Sequence, residues 1–196
     1  HTFKRWMILL LLGMIYEGNL LAFDINNVFP GSVLGAIGIG YFFSVIIYNQ
    51  LKLKNQIWLT TGLLAIFWAI LTFVPVPGQK AGVLLPESNI VKYVENLALG
   101  RFARTGVRYM WFLDTIGFIC TVMTGVFAST IIRGNYRLSF FKSSNGEIQK
   151  TLNLALIGLV LVCISLVLNV WFPVIKNIWN PTFVLLTSGL SFLLIT

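Results

Sequence analysis

The chain has 196 residues, of which 57% are hydrophobic and only 10% charged, and its mean hydropathy is +0.86. Such a polypeptide cannot cover itself with polar surface, which excludes an ordinary soluble domain and makes lipid the expected solvent. The formal net charge of +8 is not a nucleic-acid footprint, because the Lys and Arg residues sit in short connectors between apolar runs.

The expected fold class is therefore all-α: a polytopic helical membrane protein of about six transmembrane helices plus a short amphipathic helix in a long outer loop. Residues 1–196 should form one transmembrane domain, part of a larger one, since the chain opens on His1 and stops within an apolar run ending Leu193-Leu194-Ile195-Thr196. Lys4 and Arg5 ahead of Met7-Ile8-Leu9-Leu10 could mimic a secretory signal, but no small-residue cleavage site follows, so a retained helix is expected. Cys120 and Cys163 lie inside apolar runs without a His or acidic neighbour at ligand spacing, which predicts neither a disulfide nor a metal.

In chain order, the first span runs from Trp6 to Phe23 and carries Glu17 about three turns in. A charge exposed to lipid there is costly, so Glu17 should face protein or a wet cavity. The second span, Ser32 to Tyr48, holds Gly31 and Gly35 four residues apart, then Gly40 and Ser44, a pattern that lets backbones approach closely. The third runs from Gln56 to Val74 and is stopped by Pro75 and Pro77. An outer loop over 75–108 follows, turning at Gly78 and Gly82. Within it Pro86-Glu87-Ser88-Asn89 reads as a helix start and Gly100 as a stop. The helix between, Ser88 to Leu99, should be amphipathic, with Ile90, Val94 and Leu97 on one face and Lys92 placed to pair with Glu95. It should lie along the membrane surface or roof a cavity between spans.

The fourth span, Tyr109 to Ile132, has a ridge of small residues at Gly117, Thr121, Gly125 and Ser129, and Asp114 should project towards that face. The fifth runs from Leu152 to Phe172 and the sixth from Thr182 onward. Lys176, Asn177 and Trp179 lie between them, either as an interfacial anchor or as the wall of a site. The connectors carrying Lys4 and Arg5, Lys52 and Lys54, and Arg133, Arg137, Lys142 and Lys150 all fall on one side. The N-terminus is therefore expected to be cytoplasmic and loop 75–108 outside, with Arg101, Arg104 and Arg108 near lipid headgroups.

Three segments carry a resemblance. Leu71-Thr72-Phe73-Val74-Pro75-Val76-Pro77-Gly78, Gly82, Leu85-Pro86-Glu87-Ser88-Asn89 and Tyr93-Val94-Glu95-Asn96-Leu97-Ala98-Leu99-Gly100 form the first, Thr124-Gly125-Val126-Phe127-Ala128 the second, and Phe172-Pro173-Val174, Lys176-Asn177-Ile178-Trp179 and Phe183-Val184 the third. In order and spacing they resemble the heparan-alpha-glucosaminide N-acetyltransferase family of multi-spanning acyltransferases, including its bacteroidete-type branch. The resemblance implies transfer of acetyl from acetyl-CoA, without a metal, to the amine of an amino sugar or glycan acceptor. It implies a multi-pass protein of a bacterial inner membrane and a catalytic histidine in a loop upstream of the region seen here. His1 does not carry that role. The same resemblance nominates Lys176, Asn177 and Trp179 as substrate-binding residues; Asp114 and Glu17 join them because acids within a membrane are costly to keep. Leu34-Gly35 stands where the family carries Leu-Gln, and Ile175 where it carries Asn, so acceptor identity stays open. A non-catalytic transporter or a lipid- or glycan-binding scaffold is the alternative; the bilayer is a partner in every case, nucleic acid is not, and a homo-oligomer is left open.

Overall fold

The computed structural model describes residues 1–16, 32–85, 88–100, 112–134 and 146–196. Among the described residues there are seven α-helices and no strand: α1 (Thr2–Tyr16), α2 (Val33–Gln50), α3 (Leu53–Phe73), α4 (Ile90–Leu99), α5 (Thr115–Ile132), α6 (Gly146–Leu168) and α7 (Pro181–Ile195). Local chemistry sets several of the boundaries. Ser32, Asn89 and Asn180 cap α2, α4 and α7, each accepting a hydrogen bond from the backbone N–H three residues on. Pro181 occupies the first turn of α7, where its missing N–H costs nothing. Pro75 forbids the helical conformation at Val74, and α3 ends there.

Four helices, α2, α3, α5 and α6, are long and apolar enough to cross a membrane by length and composition. At 15 residues each, α1 and α7 are shorter, so four of the six expected spans reach that length among the described residues. Residues 17–23, with which the first expected span ends, lie outside the described residues, as does Glu17 itself.

The helix at the centre is α5, which touches α2, α3, α6 and α7. Gly40 of α2 lies against the backbone of Phe118, and the Ser44 hydroxyl donates to the Ile119 carbonyl at 3.4 Å, so the expected close approach falls on α5. The small-residue ridge of α5 is used only in part. Gly117 is buried against Trp179, whereas Gly125 is exposed with open space where a Cβ would lie. The tightest pairing is between α6 and α7, where Gly158 and Gly189 face each other's carbonyl oxygens.

The amphipathic face of α4 also differs from expectation. Ile90 and Val91 are buried and Leu97 is 75% exposed, so the inward face is Ile90, Val91, Val94 and Glu95. Ile90 and Val91 enter a core formed by Phe67 and Leu71 at the end of α3 and by Phe172 and Ile178 from the α6–α7 connection. Docking on two partners at once rotates the helix away from the face that spacing alone selects, because the buried stripe follows the partners' positions. The helix thus roofs one end of the bundle.

A Cβ added at Gly189 would stand 2.8 Å from the Gly158 carbonyl oxygen, and one at Gly125 would meet nothing within 4 Å. Gly189→Ala should therefore destabilise by about 1–3 kcal/mol. Gly125→Ala should be neutral or stabilising by up to ~1 kcal/mol from helix propensity. Thermal melting in detergent measures both; a Gly189→Ala variant melting at or above the parent would contradict the α6–α7 contact.

Candidate functional site

The roofed end of the bundle gathers the polar residues of interest. The connection from α6 to α7 is tied down by two asparagines. Asn169 accepts from the Val174 N–H at 2.8 Å, and the fully buried Asn180 accepts from the N–H groups of Ile175 and Phe183 while donating to the Pro173 carbonyl at 2.7 Å. Thr182 donates to the same carbonyl, and Ser165 donates to the Thr182 carbonyl at 2.8 Å. Four side chains thus hold an irregular turn rigidly against the helices that flank it.

Trp179 is the centre of that turn. Its φ of 46° lies in the left-handed region, unusual for so large a side chain. The strain is held by specific contacts. Its indole stacks on Phe118 with centroids 4.2 Å apart, meets Phe183 edge-on at 4.7 Å, and donates from Nε1 to Thr121 Oγ1 at 3.0 Å. Gly117 permits this, because a Cβ there would overlap the Trp179 carbonyl. Lys176 is exposed and Asn177 half-buried on the same turn.

Three residues before Gly117, Asp114 caps the backbone of α5 without capping it through its side chain. It is fully buried, and neither carboxylate oxygen has a hydrogen-bond partner among the described residues. Glu95, from the inward face of α4, lies within electrostatic range and is itself only 2% exposed. Lys92 pairs with Glu95 at 3.3 Å, the ion pair that the sequence predicts, here half sunk into the protein. Asp114 precedes the membrane-crossing helix by one residue. Burial first, and the charge of Glu95 second, push its carboxyl well above the ordinary carboxylate range. The N–H groups of Asp114 and Thr115 pull the other way to a smaller extent, without meeting hydrogen-bond geometry. A carboxyl of this kind can keep or take up a proton at a pH where an exposed aspartate has lost it.

Of the residues nominated from the sequence, Asp114 and Trp179 are therefore brought to one end of α5, with Lys176 and Asn177 on the turn beside them, while Glu17, like Arg101, Arg104 and Arg108, lies outside the described residues. Asn89, Asn180 and Glu95 complete the arrangement. The sequence marks Glu95 only as the pairing partner of Lys92, and no spacing signal marks Asn180. Among the described residues no group of three His, Cys, Asp or Glu side chains could hold a metal.

A cavity of about 750 Å³ lies elsewhere, between α3 and α6, and none of Glu95, Asp114, Lys176, Asn177 or Trp179 lines it. Its walls are almost wholly apolar, so it does not suit the phosphates of acetyl-CoA.

The raised Asp114 value has a definite sign. An unfolded aspartate titrates near ~3.9, so the stability that the neutral carboxyl contributes is fully present below that pH and lost as pH rises through the folded value. Melting temperature in detergent should fall from acid towards neutral pH in the parent and fall less in Asp114→Asn; parallel profiles would show that Asp114 is not a buried titrating group. No family model and no curated protein matches the chain.

Proposed function

We propose that this chain forms the scaffold and acceptor-site wall of a membrane-embedded acyltransferase, which moves acetyl from acetyl-CoA to the amine of an amino sugar. The reading rests on the resemblance of its three segments. Two of them, 71–100 and 172–184, converge in one core through Leu71, Ile90, Val91, Phe172 and Ile178 although about 70 residues separate them. The observation that carries the chemistry is Asp114, a buried carboxyl beside that core with no hydrogen-bond partner among the described residues. In the transfer the acceptor nitrogen attacks the thioester carbonyl, the carbon–sulfur bond breaks, and the nitrogen's proton must leave. Asp114 is the proton acceptor of this proposal, with Trp179, Lys176 and Asn177 on the acceptor's side and the donor site and catalytic histidine carried by further residues. The full arrangement has six spans in a bacterial inner membrane, a cytoplasmic N-terminus and loop 75–108 outside.

Full-length protein in proteoliposomes, given labelled acetyl-CoA and glucosamine, should yield N-acetylated sugar. Asp114→Asn should lower kcat by roughly 10²-fold while the protein still folds. Absence of any acylated amino sugar would sink the reading. Orientation is tested separately by single cysteines at Lys54, in the first turn of α3, and Lys80, beyond its other end, in a background lacking Cys120 and Cys163. An impermeant maleimide should label position 80 from outside intact cells and position 54 only after permeabilisation; the reverse pattern would invert the topology. The second reading, a lipid-binding scaffold without chemistry, is favoured by the apolar cavity between α3 and α6.

A further inference from the structure

The cavity between α3 and α6 has a shape and chemistry of its own. Both helices lean on α5 and α7 and do not touch each other, so α5 and α7 form a floor and α3 and α6 two walls. Along α3 the groove runs from Leu53 to Trp68, a length of about 22 Å at 1.5 Å per residue, most of a bilayer's hydrocarbon thickness. A slot of that length, with almost wholly apolar walls, matches an extended hydrocarbon chain.

Four of the five threonines lining the groove have their hydroxyls bonded within the protein: Thr60 donates to the Gln56 carbonyl and Thr130 to that of Val126, both at 2.8 Å, Thr182 donates to the Pro173 carbonyl, and Thr124 is hydrogen-bonded to Ser188 at 2.8 Å. Thr61 is the fifth, so an occupant meets very little polar surface to match. Among the described residues, cations flank the groove lining at the end near Leu53. Lys52 and Lys54 flank that residue, and Arg133 follows Ile131 of the floor by two positions; all three are exposed.

We propose that this groove holds one acyl chain of an anionic phospholipid, with the headgroup phosphate against Lys52, Lys54 and Arg133. The hydrocarbon fills a slot that would otherwise expose apolar walls to a void, and the three cations select the headgroup by charge. The inference does not rest on the acyltransferase reading.

The test is photolabelling of the full-length protein in phosphatidylcholine vesicles doped with phosphatidylglycerol that carries a diazirine midway along one acyl chain. The same label on phosphatidylcholine serves as reference. Label from phosphatidylglycerol should map to α3 and α6 peptides lining the groove, compete with unlabelled phosphatidylglycerol, and exceed the phosphatidylcholine label about tenfold. Changing Lys52, Lys54 and Arg133 together to Gln should abolish that preference. Ala65→Trp, which fills the groove from an exposed position, should reduce the label to background, while Ile66→Trp on the outer face of α3 should not. Should Ala65→Trp aggregate, competition by unlabelled lipid decides alone. Label spread evenly over all lipid-facing helices, equal labelling by the two headgroups, or crosslinks from the groove to a second copy of the chain would each overturn the proposal.

Discussion

The contact between Gly117 and Trp179 is the constraint on which the roofed end of this protein depends. With no Cβ at Gly117 the Trp179 carbonyl can rest directly on α5, and the indole then reaches both Phe118 and Thr121. Holding a tryptophan at positive φ costs about 1–3 kcal/mol, and the stacking, the hydrogen bond and the asparagine-tied turn around it offset that cost. Once the turn is seated, Ile178 is delivered to the core beneath α4. The α4 helix then has a surface to dock on, and its Glu95 faces Asp114 with water excluded. One missing methyl thus sets the spacing of the roof and the electrostatics of the carboxylates under it.

The bundle has two regions of opposite character that share a border. At the roofed end, polar side chains are concentrated and mostly bonded to backbone, whereas neither carboxyl oxygen of Asp114 has a hydrogen-bond partner among the described residues. Between α3 and α6 the surface is apolar, and the hydroxyls of Thr60 on α3 and Thr130 on α5 are satisfied within their helices. Phe172 belongs to both, since it stands in the core under α4 and also lines the groove. A side chain common to two sites is a physical route by which occupancy of the groove could bias the packing of the turn that carries Trp179.

How much of this was legible in advance differs from element to element. Apolar runs bounded by Pro75 and Gly100 were readable because helix ends are decided by a few neighbouring residues. The pairing of Lys92 with Glu95 was readable for the same reason, being three residues apart on one helix. The inward face of α4 was not, because a ten-residue helix has more than one plausible apolar stripe and its partners, α3 and the 172–180 turn, choose between them. Nor was the contrast between Gly117 and Gly125, which sit on the same side of α5 two turns apart. Only the position of Trp179 makes the first indispensable and leaves the second open.

Composition and hydropathy by themselves determined that the chain is helical and apolar enough for several helices to cross a membrane, since backbone groups out of water must be satisfied within each segment. Local residue signals placed the C-terminal ends of α2, α3, α4 and α5 to within two residues, whereas α5 begins at Thr115 instead of Tyr109 and α6 runs from Gly146 to Leu168 instead of Leu152 to Phe172. Only the tertiary structure decided that Asp114 has Glu95 for a neighbour, that Asn180 and Trp179 hold the turn above it, and that α3 and α6 stand apart around a hydrocarbon-sized groove. Each of these depends on distances between segments tens of residues apart, which are set by side-chain volume and close approach and leave no periodic trace in the sequence.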